Sequence, residues 1–386
     1  MKNLREKLNA YVSNQQKSSA NARQRIPLYQ REKIEPVSAL CGFDQTRLEE
    51  IVMCDPSYWF EQWDPYRVLF LDTETTGLNG GTGTIAFEIG IAYLENDGLH
   101  VRQYVIADYD QEREMLDRIR DALHRHDILV TFNGKSFDIP LMESRMIMNG
   151  FRLGLTQYPH LDLLHACRRI YKMRLGHCKL QTLEQAVLGK RREDDLPGAQ
   201  MPAVFFQYLK NGIFEPMEKV LDHNYEDVVS LAQLTGHLCS VFREPEQLKH
   251  PEDLLGLGKT LERGGNHVRA RACYAALEGT PVSYDSRTRL IRSYKREQNW
   301  TETVELCQRM IKNGQRGAWP YIELAKYYEH VAHDIDRAVY YAAEGMQAVL
   351  DKLAFDEEQK ETELKEIRRR VERLRKKQYK KGLDGG

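Results

Sequence analysis

The spacing of hydrophobic and polar positions changes character along the chain. Up to about Glu35 it is polar, with "SNQQKSSANARQR" reading as a mobile arm or linker. From Arg67 an α/β pattern begins. The unbroken run Val68–Leu71 predicts a buried central strand reaching Thr73. In "TIAFEIGIAYL", Ile85, Phe87, Ile89, Ile91 and Tyr93 alternate with smaller or polar residues and predict a second strand. An "NDG" turn then leads to "HVRQYVIAD", so the first three strands form an antiparallel meander. Met115, Ile119, Ala122 and Leu123 have helical spacing. "ILVTF" is a fourth strand, a helix opens near Pro140 and stops before Gly150, and "HLDLL" is a short fifth strand. Helices then dominate: "LQTLEQAVLG", "MPAVFFQYLKNG" and a long one from about Asp222 to Phe242. The expectation is an α/β domain over residues 67–243, its mixed sheet an antiparallel meander followed by parallel strands, flanked by helices.

After "REPEQLKHPED" the pattern becomes all-α. Three stretches superimpose with Asn266, Asn299 and Asp334 at the same turn and Ala270, Thr303 and Ala338 four residues later. A helix-pair repeat of this length is the tetratricopeptide signature, expected over residues 250–350, although an ordinary helical bundle fits the same pattern. Residues 351–386 form a basic helix and tail: "LKEIRRRVERLRKKQYKK" holds ten basic residues against two acidic and reads as a solvated helix, or more sharply as a phosphate-contacting clamp. At the other end, residues 1–66 read as an arm and flap. There Tyr58, Trp59, Phe60 and Trp63 suit packing on the following domain better than base stacking.

Composition narrows the function. The 386 residues have a formal net charge of −1, so any basic surface must be local. No apolar run is long enough to span a bilayer, and the first residues lack the apolar core of a signal peptide. Seven scattered cysteines without a CxxC pair suit reduced thiols in the cytoplasm and argue against a thiolate zinc site.

The chemistry lies in carboxylates. Asp72 and Glu74, two apart at the end of the first strand, face one side of an extended chain. Within "TFNGKSFDIP", which ends the fourth strand, Asp138 opens the next helix, and Asp227 sits one helical turn after His223 in "LDHNYEDVVSL". If the first and fourth strands are neighbours, all four acids meet at one sheet end. Such a group repels itself unless cations lie between its members. Hard divalent ions, Mg²⁺ or Mn²⁺, fit oxygen ligands, and two of them about 3.5–4 Å apart can activate a water and stabilise a leaving oxygen at a phosphodiester. Asn133 reads as a loop anchor, and Lys135 as a phosphate contact or an exposed loop charge. Asp162 reads as a support or helix cap. The glycines of "GLNGGTGT" precede no helix and so form no nucleotide cradle; they suit a tight or mobile loop near the cleft.

"DTETTG", "NGKSFD" and "HNYED" together resemble the three exonuclease motifs of the DEDD superfamily on the ribonuclease-H-like fold. "GGTGTIAFEIGIAY", "HLDLLH" and "DDLPGAQMPAVFFQYLKNG" look closer still to its YprB-like branch, predicted bacterial exonucleases. The resemblance implies 3′→5′ hydrolysis of DNA or RNA, with Asp72, Glu74, Asp138 and Asp227 holding two metal ions. Where the tyrosine-type pattern has a water-orienting tyrosine, this chain has His223, which is the favoured base over Tyr225. The helical repeats would bind a protein partner or orient the substrate. The competing reading is a tetratricopeptide scaffold whose nuclease-like domain only grips nucleic acid.

Overall fold

The structure is a computed structural model that describes residues 27–36, 64–77, 83–95, 98–314, 317–351 and 357–384. The aromatic cluster Tyr58–Trp63, the "SNQQKSSANARQR" stretch, Cys41, Cys54, Gly80 and Gly81 lie outside these. The chain divides into two compact units, the first ending at Gln247 and the second beginning at Leu248.

The first unit contains β1 (Tyr29–Glu35), β2 (Val68–Thr75), β3 (Ala86–Glu95), β4 (Gly98–Val105), α1 (Glu112–Leu123), β5 (Ile128–Thr131), α2 (Asp138–Met148), β6 (His160–Asp162), α3 (Leu163–Leu175), α4 (Leu180–Leu183), α5 (Met201–Asn211) and α6 (Met217–Arg243). Helix α4 widens into a π turn at Glu184–Leu188. The six strands form one sheet in the order β1-β4-β3-β2-β5-β6. Pairing is antiparallel from β1 to β2, then parallel through β5 and β6. This is the mixed sheet, an antiparallel meander followed by parallel strands, that the hydrophobic pattern predicts.

Both faces of the sheet are covered, so β3 has nine buried residues out of ten. Leu69, Leu71, Phe87, Ile89 and Ile91 pack into one core with Met115, Ile119, Ile139, Met142 and Phe205. Helix α6 runs along β2, β3 and β4. It starts at Met217, five residues before the expected Asp222, because Met217, Val220 and Leu221 continue its buried stripe.

Strand β1 departs from the sequence expectation. Its polar residues "YQREKIE" lie in the stretch read as a mobile arm, yet all seven pair with β4, from Tyr29↔Val105 to Glu35↔Leu99. An edge strand is held by main-chain bonds that leave no hydrophobic period to detect, and its charges guard the edge.

The second unit is helical: α7 (Pro251–Arg263), α8 (His267–Ala275), α9 (Ser283–Arg296), α10 (Trp300–Lys312), α11 (Trp319–His330), α12 (Ile335–Leu350) and α13 (Glu357–Asp384). Each packs on the next in order. Asn266, Asn299 and Asp334 are the caps of α8, α10 and α12, each accepting the main-chain N–H three residues on. The aligned Ala270, Thr303 and Ala338 are buried. The tail is not simply a solvated helix. One stripe of α13, Ile367, Val371 and Leu374, is buried, with Val371 and Leu374 sharing a core with Ala338 and Ala342 of α12.

Candidate active site

The site begins where β2 runs out of core. Val68 and Leu69 are fully buried, and from Asp72 onward the residues are only partly covered. Alternation along β2 puts Leu69 and Leu71 in the core shared with α1 and α2, which leaves Asp72 and Glu74 facing α6. Asn224 of α6, fully buried, donates from Nδ2 to Asp72 Oδ2 at 2.9 Å. Thr73 points the other way and donates from Oγ1 to Asp138 Oδ1 at 2.5 Å. One strand end therefore steers two acids that are 66 positions apart in the chain.

Asp138 is delivered by a built turn. After Thr131 the chain passes through Asn133 in the left-handed region, φ 66°. A Cβ on Gly134 would lie 2.3 Å from Thr131 Oγ1, so only glycine fits there. The N–H groups of Asn133 and Lys135 donate to Asp162, at 2.7 and 3.2 Å, while Asp162 also caps α3 through Leu164 N. Asp162 thus does both things expected of it: it supports the turn and caps a helix. Asn133 belongs to that turn, anchored through its main chain. Asn133 also lines the cleft with Asp72, Glu74, Asp138, Phe132 and Phe137.

Helix α6 brings Asp227 and His223 on the same face. His223 Nε2 is 3.5 Å from Asp227 Oδ2, and its Nδ1 is 2.6 Å from Asp195 Oδ1. Ligand atoms of Glu74, His223 and Asp227 lie within 4.8 Å of one another. Tyr225 turns away and donates its hydroxyl to Glu35, so it takes no part in this cluster.

A further cation enters from the segment after Gly189. Arg192 donates two bonds to Glu184, at 2.5 and 2.8 Å, and one to Asp227. Glu184, in the π turn, has only 1% of its side chain exposed, and Arg192 6%. Arg192, Glu184, Asp195 and Asn224 were not among the residues expected from sequence. Three of them lie outside the acidic motifs, and Asn224 sits inside "HNYED" where its buried orientation has no sequence signal.

The electrostatics match a crowded acid cluster. Burial, with Asp227, Asp138 and Glu74 nearby, holds Asp72 well above the ordinary carboxylate range. Burial is also the main cause for Glu74, pushed up to about 8, and for Asp138, raised to about 6 although the Thr73 bond opposes it. Asp227 goes the other way. Burial would raise it, but the bonds and charges of His223 and Arg192 prevail and lower it. Burial disfavours a charged His223, yet the Asp227 and Asp195 carboxylates and Glu74 raise it to about 9. His223 is therefore a cation at neutral pH in the metal-free protein, and its unperturbed value does not describe it.

The donor set fits a hard divalent cation. It consists of carboxylate oxygens held at fixed orientations by Asn224 and Thr73, and burial, with the neighbouring acids, holds three of the four above their usual range. At the fourth, Asp227, Arg192 and His223 already supply positive charge.

Comparison with known proteins identifies the class. Residues 69–239 match a family model described as the RNase_H superfamily. The uncharacterized protein YprB of Bacillus subtilis (strain 168) is 32% identical over 319 residues, which cover 80% of this chain and 75% of that protein. The chain belongs to this YprB family, on a ribonuclease-H-like fold. Among solved structures, the family B DNA polymerase of the archaeon Pyrobaculum calidifontis aligns with 57% of this chain at 17% identity and a TM-score of 0.38; the aligned part is 30% of that polymerase.

Proposed function

We propose that the first unit is a metal-dependent nuclease that removes nucleotides from DNA or RNA, in the 3′→5′ direction, and that residues 67–243 form this domain. The observation that supports the reading is that Asp72, Glu74 and Asp138 line one cleft while Glu74 also offers an oxygen within 4.8 Å of ligand atoms of Asp227 and His223. Burial first, and the neighbouring acids after it, raise Asp72, Glu74 and Asp138. These four acids would hold two ions, Mg²⁺ or Mn²⁺, and the ions would supply Lewis-acid activation of water and charge neutralisation at the phosphate. The protein's own residues then have distinct roles. Asn224 and Thr73 hold Asp72 and Asp138 in orientation. His223, oriented by Asp195, holds or accepts a proton at Nε2, the nitrogen facing Asp227. Arg192 keeps Asp227 ionised. Lys135, in the turn before Asp138, contributes a further positive charge for the substrate.

Residues 250–350 act as tetratricopeptide-like repeats that bind a protein partner or orient the substrate. The three capped helix pairs and the small buried residue after each cap support this. Among the described residues no helix is long and apolar enough to cross a membrane, and the five described cysteines are buried and unbridged, which suits a cytoplasmic protein.

The decisive experiment is a time course on 3′- and 5′-labelled single- and double-stranded DNA and RNA with Mg²⁺ or Mn²⁺, for wild type and Asp72→Asn. Stepwise shortening from the 3′ end, abolished by the substitution and by chelation, is expected. No metal-dependent product from any end, or equal activity in Asp72→Asn, overturns the reading.

A further inference from the structure

The residues of α13 that remain outside the core form a second feature of the second unit. Between Arg368 and Lys381 there are nine lysines and arginines and one acid, Glu372. Two of the nine serve the packing of the unit. Arg373 and Lys377 bond Glu329 of α11, whose side chain is only 2% exposed and whose pKa falls to about 2, chiefly through Arg373. Ile367, Val371 and Leu374 define the buried side of the helix. Opposite them lie Lys365, Arg369, Lys376 and Lys380, all exposed and, among the described residues, without an acidic partner. At 100° per residue these four fall within an arc of about 60°, and they extend along about 22 Å of helix. Arg368 and Arg375 flank them on one side, with one exposed acid, Glu372, between, and Tyr379 and Leu383 are 71% and 65% exposed on the same face.

We infer that this stripe is a binding surface for the phosphate backbone of nucleic acid, separate from the acid cluster. Fixed cations of one sign in a chain of near-zero net charge mark a local polyanion site. A duplex carries a charge about every 1.7 Å of its axis with both strands counted, so a stripe of this length lies along a segment with roughly a dozen phosphates, several of them on the facing side. An anionic membrane fits less well. Ile367, Val371 and Leu374 of α13 are consumed in the core, and the exposed Tyr379 and Leu383 alone do not make the continuous apolar face that a helix lying in a membrane interface buries there. The stripe is sequence-blind: it has charge and one aromatic ring, and no arrangement of amide side chains to read base edges. The choice of nucleic acid as the polyanion rests on the nuclease reading. The stripe itself rests on geometry alone, and it would raise the local concentration of substrate.

The test uses full-length protein carrying Asp72→Asn, in EDTA, so that binding is measured without cleavage. Fluorescence anisotropy on labelled 30-nucleotide single strands and 30-base-pair duplexes is recorded across a KCl series. Lys365→Gln/Arg369→Gln/Lys376→Gln/Lys380→Gln should lose at least tenfold in affinity at 50 mM KCl. The slope of log affinity against log salt should fall by about 3 to 4 on duplex, since each phosphate contact contributes roughly 0.9. The charge-preserving exchange at the same four positions should retain binding, which separates charge from folding. Removal of four exposed cations elsewhere, Arg118, Arg125, Arg263 and Lys312, should change affinity less than threefold. An affinity within threefold of the parent for the Gln variant overturns the inference. So does binding to vesicles with 30% phosphatidylserine that is tighter than to nucleic acid and lost in the same variant. If wild type cuts nothing while the salt-dependent binding persists, the nuclease reading fails and this one stands.

Discussion

Asn224 and Asp72 are 152 positions apart, yet the fully buried amide of one donates to the partly covered carboxylate of the other at 2.9 Å. The Asn224 carbonyl oxygen in turn accepts from Gln103 Nε2 at 3.0 Å, and the same amide also reaches Glu88 and the Leu221 carbonyl. A core hydrogen-bond chain thus sets the orientation of a site acid. Removing it should act on both metal affinity and stability.

Asn224→Ala should raise the Mn²⁺ concentration for half-maximal cleavage by about 10- to 100-fold, the usual effect of losing a group that orients a metal ligand. It should cost about 1–3 kcal/mol in urea unfolding, because the buried Asn224 bonds to Asp72 and Gln103 are both lost. A metal titration unchanged from wild type would show that Asp72 needs no such support.

Gly90 exists for the same contact. A Cβ there would lie 2.0 Å from Asn224 Oδ1 and 2.9 Å from Val228 Cγ2. Gly90→Ala should destabilise by about 1–3 kcal/mol through overpacking. Combined with Asn224→Ala the two losses should not add, since the smaller residue vacates the clash. Additivity within about 0.5 kcal/mol would contradict the coupling.

Arg192 should resist conservative exchange. Its guanidinium satisfies a nearly fully buried Glu184 bidentately and Asp227 as well. Arg192→Ala leaves Glu184 buried without its ion-pair partner and should cost about 3–5 kcal/mol. Arg192→Lys should recover only part of this, because an ammonium cannot reproduce the fork. Thermal or urea denaturation of both variants checks it, and full rescue by lysine would count against the fork.

The stability of the metal-free protein should fall as pH rises from about 4 to 9. Asp138, Glu74 and His223 all bind protons more tightly folded than unfolded, with folded values of about 6, 8 and 9 against ordinary values of 3.8, 4.5 and 6.5. Each contribution is complete below the unfolded value and is lost as pH passes the folded one. Asp227, which is lowered, acts only at the acid edge of this range. Metal binding needs ionised carboxylates, so the stabilisation by added Mn²⁺ should grow over the same interval. Melting temperatures in EDTA and in Mn²⁺ at pH 5, 7 and 9 test both trends. A metal-free protein more stable at pH 9 than at pH 5 would show that the acids are not crowded together.

Much of the first unit was legible in the chain because its signals are local. A run such as Val68–Leu71 is buried wherever it goes, and a two-residue period alone puts Asp72 and Glu74 on one face. The caps Asn266, Asn299 and Asp334 are equally local, each bonding an N–H three residues away. Strand β1 was not legible, because its partner β4 lies some 70 residues further on and its own side chains are polar.

The amino-acid order by itself determined which residues are acidic, where the hydrophobic strands and most helices lie, and that the acids need a positive partner. Only the tertiary structure decided which groups hold them. Arg192 reaches Asp227 across 35 positions, Asp195 reaches His223 across 28, and Asn224 reaches Asp72 across 152. Contacts at such separations come from how helices pack on a sheet. Neither the period nor the propensity of a segment records what will be packed against it.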